Sequence, residues 1–419
     1  MANESPTAGY YELRSVFMKN YDGSKDIELT RVVYNFRLVE GIDEGVIRAQ
    51  ISIVDSSNLI DAFPIRGEEF ISITLADFYD VEKTYEFHVY SISPVNVDRS
   101  SSKQDYTLFL YSKDFVKTES TEIRRSYEDA LSRTALTIYE EYFTGEKPLD
   151  LQPTDGTVPI VVPAMTPYET MNMLAKKSYA QSTPSSIFKF FETRDDYKFI
   201  TLEELINRVD RGGIPQEKIY TYEDPKLSES SPEVAMQNMI SYTPFSRFNL
   251  MNEMRQGGMI NAITRLDLSK KTIDEITYKH YENLDQYAST DGTRRRYHSD
   301  NFQRDFFGED NVLTRYIVFD DTTKPESYYD EILPKRISNN YYLSSISIGI
   351  EVYGSFKLNV GDLIEIKMPN PVVDTTGVTE EHDSISGYYL VNRMEHNLQE
   401  QTWTTNIILI KDALRSENL

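Results

Sequence analysis

At 419 residues, with 39% hydrophobic and 26% charged side chains, the chain is longer than one core supports, about 250 residues, and has apolar surface enough for two to four packed domains, so global disorder is excluded. Its 44 basic against 67 acidic residues leave a net charge of −23, which excludes nucleic acid as a tightly held ligand, because such binding rests on phosphate neutralisation. There is no Cys, so disulfides, thiolate metal sites and cysteine nucleophiles are excluded as well. The 30 Tyr and 20 Phe against one Trp favour strands and interfaces, where a ring packs while a hydroxyl meets water. The opening MANESPTAGYYELRS has neither a basic nor an apolar leader region, and no run of eighteen apolar residues follows. A soluble chain outside the secretory route, with no membrane insertion, is the expectation.

From Tyr10 to about Thr118, short alternating runs at 30–39, 45–54, 70–75, 85–92 and 106–111 are separated by the turn segments GIDEG, RGEE and PVNVDRSSSK. This is the pattern of an antiparallel β domain of sandwich or barrel type. Alternation turns Phe87 and Val89 inward and His88 outward, making His88 a surface strand residue and not a ligand. The period changes near Ser126, where Ser126, Glu128 and Asp129 read as a helix start and Leu131, Ala135, Ile138 and Tyr142 form a helical stripe ending at Gly145. After the connector KPLDLQPTDGTVPIVVP, Thr166 is an N-cap with Pro167 at the first helical position and Glu169 in the first turn of a second helix. Residues 187–192 and 197–200 then form a hairpin across TRDDY, followed by a short helix over 202–206.

Residues 230–278 are mixed, with a helix or kinked strand over 232–239, a Gly257-Gly258 pair read as a bulge or close backbone approach, and a strand over 259–268. The span 280–338 is the least patterned, polar through YENLDQYASTDGTRRRYHSDN with one strand at 312–319, and reads as an insertion. From Tyr341 the β pattern returns over 343–352, 363–368, 387–396 and 402–410. So β domains recur near both ends, an architecture compatible with duplication, although no residue-level repeat marks it.

Two patterns in this last region are linked. Ile350, Val352, Gly354, Leu358, Val360, Gly361, Asp362, Ile364 and Ile366 spell a strand, a glycine turn, a Leu-x-Val-Gly-Asp corner and another strand, with Gly361 supplying positive φ and Asp362 bonding turn amides. Then SGYYLVNRMEHNLQEQTWTTNIILIKD pairs a strand ending at His396 with a strand from Thr402 across NLQEQ. In order and spacing this resembles the baseplate hub proteins of T4-type phages, a family related to the late-control hub proteins of simpler tails and to the hub portion of type VI secretion spikes. SIFKFFETRDDYKFITLEELI resembles the family's hairpin-plus-helix, and 245–268 its passage of Phe-Asn, paired Gly and Thr-x-Leu-Asp-Leu. The likeness thins between about 280 and 338.

The resemblance implies a fold that is mainly β with α+β insertions: a first tube-like antiparallel β-barrel or sandwich domain over 9–118, an α+β domain over 119–237, a second tube-like β domain from 238–278 and 339–416, and an inserted small domain or loop region over 279–338. It implies a structural central hub of a contractile tail baseplate, a homotrimeric adaptor between a sixfold tail tube and a threefold spike, through whose channel DNA passes without specific binding. The implied partners are a spike protein, tail tube or tube-initiator proteins, a tape-measure protein and baseplate wedge proteins. The implied place is the virion, assembled in the host cytoplasm, with the hub of a phage-derived protein-injection machine as an alternative. Because the chain stops at Leu419, soon after the last matching strand, the spike is expected to be a separate polypeptide. The net charge adds the expectation of an acidic or neutral channel wall.

A peptidoglycan-degrading hub enzyme is the rival reading. The pairs Glu203-Glu204, Asp195-Asp196 and Glu380-Glu381 are read as solvated faces and turns, since general acid–base work needs two carboxylates at a defined separation about a cleft. His88, His280, His298, His382 and His396 show no HExxH or other short ligand spacing. His382 lies with Glu380, Glu381 and Asp383 in a charged loop, and His396 is expected to be fixed by backbone or by a neighbouring Tyr. No Gly-x-Ser-x-Gly elbow, P-loop or dinucleotide fingerprint occurs. No catalytic, cofactor-binding or metal residue is assigned, and no cofactor is expected. Arg294, Arg295 and Arg296 read as an exposed loop, with docking to an acidic neighbour as the alternative.

Overall fold

The computed structural model describes residues 7–412 except 99–102, 183–186, 223–230, 247–248, 292–301, 303–304, 306–314, 321–328, 371–380 and 383. Arg294 to Arg296, Gly292, His298, Glu380 and Asp383 lie outside the described residues. The fold is mainly β with α+β insertions, dominated by one large sheet.

Alternation builds its first half. Strands β1 (Glu12–Lys19), β2 (Asp26–Glu28), β3 (Val33–Gly41), β4 (Arg48–Asp55), β5 (Phe70–Ala76), β6 (Glu82–Ile92), β7 (Asn96–Asp98) and β8 (Lys103–Ser112) pair antiparallel. Their inward residues, among them Val16, Leu38, Ile51, Ile53, Ile73, Phe87, Val89, Leu108 and Leu110, close one core. Strand β1 escapes the sequence reading because Glu12, Arg14 and Lys19 mask its short apolar alternation. His88 faces outward as expected, half-buried against Phe70.

The chain then forms β9 (Ser126–Asp129), α1 (Leu131–Tyr142), β10 (Leu149–Leu151), β11 (Val158–Val161), α2 (Pro167–Lys177), β12 (Phe188–Glu192), β13 (Tyr197–Thr201) and α3 (Leu202–Asn207). Ser126 is no helix start: Ser126 to Asp129 pair antiparallel with Val158 to Val161, and the helix begins at Leu131 without a side-chain cap. Tertiary pairing has overridden a local capping signal. At α2 the signal holds in full, since the Thr166 hydroxyl accepts from the Glu169 amide and the Glu169 carboxylate accepts from the Thr166 amide. Aromatic residues of α1, β12 and β13 fill the second core, with Phe190 and Tyr197 stacked at 5.7 Å.

After β14 (Ile219–Thr221) come α4 (Pro232–Ala235), β15 (Ser241–Ser246), α5 (Leu250–Gln256), β16 (Ile260–Asp267), β17 (Thr272–Lys279), β18 (Arg315–Asp320) and α6 (Tyr329–Leu343). Of the Gly257-Gly258 pair, read above as a bulge or close backbone approach, Gly257 is the left-handed cap of α5 at φ 73°, and Gly258 lies close beneath Tyr341. Strand β15 joins the large sheet through β19 (Ile346–Tyr353), whereas β16, flanked by antiparallel β17 and parallel β18, forms a sheet of its own. Helix α6 carries Pro334 in its interior, which conceals it from propensity-based reading.

Strands β19, β20 (Leu363–Lys367), β21 (Gly387–Gln399) and β22 (Thr402–Lys411) enclose a third core around Ile350, Ile364, Ile366, Val391, Ile407 and Leu409. The corner at Gly361 has φ 86°, and Asp362 accepts from the Asn359 amide at 2.8 Å and pairs with Lys218. Gly361→Val is expected to cost about 1–3 kcal/mol through backbone strain, read as a drop in the chemical-denaturation midpoint; no drop would show that the corner tolerates a side chain. The β21–β22 turn is tighter than NLQEQ suggested, with Glu400 and Gln401 both at positive φ, 51° and 64°. That is the two-residue type I′ geometry that favours Asn-Gly. Glu400→Asn with Gln401→Gly is therefore expected to stabilise the chain by about 1 kcal/mol, visible as a raised Tm.

The main path of the large sheet runs β15-β19-β22-β21-β3-β4-β8-β6-β5-β1-β2. Its two halves come from opposite ends of the chain and meet at a seam where Arg393 to Gln399 pair with Asn35 to Gly41. The N-terminal residues lie across this seam, Gly9 accepting from the Trp403 amide at 2.7 Å and Tyr10 bridging to Thr402.

Candidate assembly interface: an open face above a buried seam

Directly opposed residues of paired strands share one face of a sheet, so register alone traces the surface that the cores leave open. One row crosses all eleven strands of the main path: Ser241, Glu351, Asn406, Glu395, Val39, Arg48, Tyr111, His88, Phe70, Lys19 and Asp26. Each is exposed or half-buried. The next row is Tyr353, Thr404, Asn397, Arg37, Gln50, Phe109 and Ser91, and the row after it, Thr402, Gln399, Asn35, Ser52 and Thr107, carries no charge. The open face thus runs without interruption from the C-terminal half to the N-terminal half, mostly as amides and hydroxyls.

Near the seam its charges are grouped. Arg37 bonds Glu395 at 2.5 Å, Arg48 bonds Glu44, and Arg393 lies 3.1 Å from Glu44 and 3.4 Å from Glu395. Toward the β5–β6 side the face becomes aromatic, with Tyr90 and Tyr111 rings 4.5 Å apart and Tyr111 and Phe115 4.8 Å apart. Partial burial and the neighbouring Tyr111 raise the Tyr90 pKa despite the opposing charge of Arg48.

Beneath the face, the seam holds a polar cluster. Glu40 lies two residues beyond Leu38, the direct partner of His396, and is fully buried on the same inward face. His396 Nε2 stands 3.1 Å from Glu40 Oε1, while Nδ1 is 2.8 Å from Thr405 Oγ1 and 3.1 Å from Trp403 Nε1. An indole N–H only donates, so Nδ1 is the acceptor and the proton sits on Nε2, donated to Glu40. Arg194, from the β12–β13 turn, bonds the Phe356 carbonyl and Asp195; burial works against its charge, but Tyr85, Asp195 and Glu40 hold its pKa above the ordinary value. Burial pushes the Tyr85 hydroxyl far up, and Glu40 adds to the shift. His396 is therefore fixed by Glu40, Thr405 and Trp403, not by backbone or Tyr.

The remaining residues singled out in the sequence sit in structural roles. Glu203 is buried against Asn339, Glu204 pairs with Arg208, and Asp195 and Asp196 pair with Lys83, Arg194 and Lys198. His280 is buried among Tyr278, Tyr287 and Tyr342, and His382 bonds Ser384. The terminal Lys-Asp of the last strand anchors the start of the insertion: Asp412 accepts from the Thr290 amide and hydroxyl, and buried Lys411 donates to the Ser386 carbonyl beneath the Tyr389 ring. Glu40 was missed, yet it occupies the same parity as Phe36 and Leu38, and a charge at an inward position was the signal available.

This architecture is a fold found in solved tail proteins. The structure is similar over 96% of its length to 99% of the 43 kDa tail protein of prophage MuSo2 from Shewanella oneidensis, with a TM-score of 0.56 and 11% identity. It is likewise similar over 97% of its length to 98% of the tail protein from Neisseria meningitidis MC58, with a TM-score of 0.54 and 9% identity. No protein-family model matches the sequence, and no curated protein does. Among the described residues no helix is long and apolar enough to cross a membrane.

Proposed function

We propose that the chain is a structural hub of a contractile tail baseplate, three copies of which form a ring between a sixfold tube and a threefold spike. The observation that carries this reading is the uninterrupted open face: two antiparallel half-sheets, each with its own core, are joined edge to edge in one chain. Three copies then present six half-sheets, which reconciles threefold with sixfold symmetry. In this reading the tube-like domains are 9–118 and 238–278 with 339–416, the α+β domain is 119–237, and 279–338 is an insertion. The partners are spike, tube, tape-measure and wedge proteins, and the place is the virion or a related injection particle.

The open face is the proposed channel wall. Its rows of amides and hydroxyls, with Arg37, Arg48 and Arg393 gathered about Glu44 and Glu395, offer a passing phosphate backbone no continuous basic track, so DNA slides past without being held. Light scattering of the chain co-expressed with its spike protein is expected to give a complex containing a multiple of three copies. A stable one-to-one complex, or a ring whose lumen is lined mainly by Lys and Arg, overturns the reading.

A further inference from the structure

We propose that three arginines on the open face form a binding notch for a carboxylate side chain presented by an acidic segment of a partner protein. Arg37, Arg48 and Arg393 come from three separate strands or strand ends and converge on a notch of about 220 Å³ walled by Gln50, Tyr90 and Phe109. Two carboxylates serve these three guanidinium groups: Glu395 takes Arg37, Glu44 takes Arg48, and Arg393 shares both. One positive charge remains, in a chain whose net charge is −23. Each guanidinium carries five N–H donors, so most of their fork geometry is unused by the two glutamates. A third carboxylate would neutralise the notch and accept paired N–H donors, the arrangement for which arginine is suited. The rings of Tyr90 and Phe109 would cover the methylene stem of an entering glutamate and keep water from its ion pair.

An acidic protein segment fits better than nucleic acid. A duplex carries a charge about every 1.7 Å of its axis, and beyond the notch it would run onto Glu86, Asp105 and Glu351 of the same face. One projecting carboxylate avoids them. The site lies on a single chain, so it stands apart from the ring proposed above, and its failure leaves that ring untouched.

Fluorescence anisotropy of a labelled hexapeptide of alternating Glu and Ser, titrated with the full chain, tests this. Saturable binding is expected, weakened about tenfold or more in Arg48→Gln/Arg393→Gln and unchanged in Arg124→Gln, which lies away from the notch; tenfold corresponds to about 1.4 kcal/mol. The single variant Arg48→Gln, which keeps Arg393 beside both glutamates, is expected to show a smaller loss in the same direction if the double variant does not fold. Inorganic phosphate at equal charge is expected to compete poorly, and a single-stranded oligonucleotide of equal charge to bind at least about tenfold more weakly than the peptide. No binding of the peptide, equal binding by the folded arginine variants, full competition by phosphate, or tighter binding of the oligonucleotide would each overturn the proposal.

Discussion

His396→Leu is expected to lower stability by about 3 kcal/mol, the upper part of the range for leaving a buried hydrogen-bonding group unsatisfied. The change leaves the Glu40 carboxylate buried without its hydrogen-bond donor, since Oε2 has none and Oε1 bonds His396, and it strips the acceptor from Trp403 Nε1. Trp403 is the one tryptophan of the chain and is almost fully buried. Its fluorescence therefore reports the seam without interference during denaturant unfolding. The double change Glu40→Leu/His396→Leu is expected to cost less than the two single changes summed, by roughly 0.5–3 kcal/mol, because it removes the stranded polar group together with its partner. Strict additivity would show that Glu40 and His396 do not act as a unit.

A comparable loss is expected from adding one methyl group at Gly354. A Cβ there would lie 2.1 Å from Trp403 Nε1 and 2.2 Å from its Cδ1. The indole has no room to yield, held between Phe356 at a ring distance of 5.0 Å and His396 at 5.3 Å. Gly354→Ala is thus expected to destabilise by about 3 kcal/mol, the upper part of the usual overpacking range, with a red shift of Trp403 emission as the ring is displaced. Gly23→Ala is the control for backbone strain without a clash: its φ is positive, at 68°, and nothing lies within 4 Å. There the backbone alone contributes, about 1 kcal/mol. Equal losses at the two glycines would mean that the indole can move aside.

The fold was legible where alternation was strict and turns were marked. Strands β3 to β6 and β19 to β22 follow from apolar residues at every second position, and the α2 capping box follows from Thr166 and Glu169. The reading failed where tertiary pairing outweighed local preference. Ser126 to Asp129 look like a capped helix start but gain more from pairing with 158–161, and α6 is disguised by Pro334. The open face was illegible for a different reason. Which outward residues lie side by side depends on register between strands hundreds of positions apart, so neither the arginine notch nor the neutral row through Asn35, Ser52 and Thr107 has a local signature. Trp403 and His396 stood within the segment that carried the resemblance, while Glu40, their third partner, lay at the other end of the chain.

That separation also bears on how the chain comes to be folded. Glu40 and His396 are 356 positions apart, and at a synthesis rate of about 5–20 residues per second roughly 20–70 s pass between the two. Throughout that time the outer edge of β3 presents unpaired amides and carbonyls, the kind of edge that recruits strands from other chains. High contact order of this sort makes the closing step slow. It also means that a truncated translation product never acquires the continuous open face, so synthesis must reach the last strands before the seam can close.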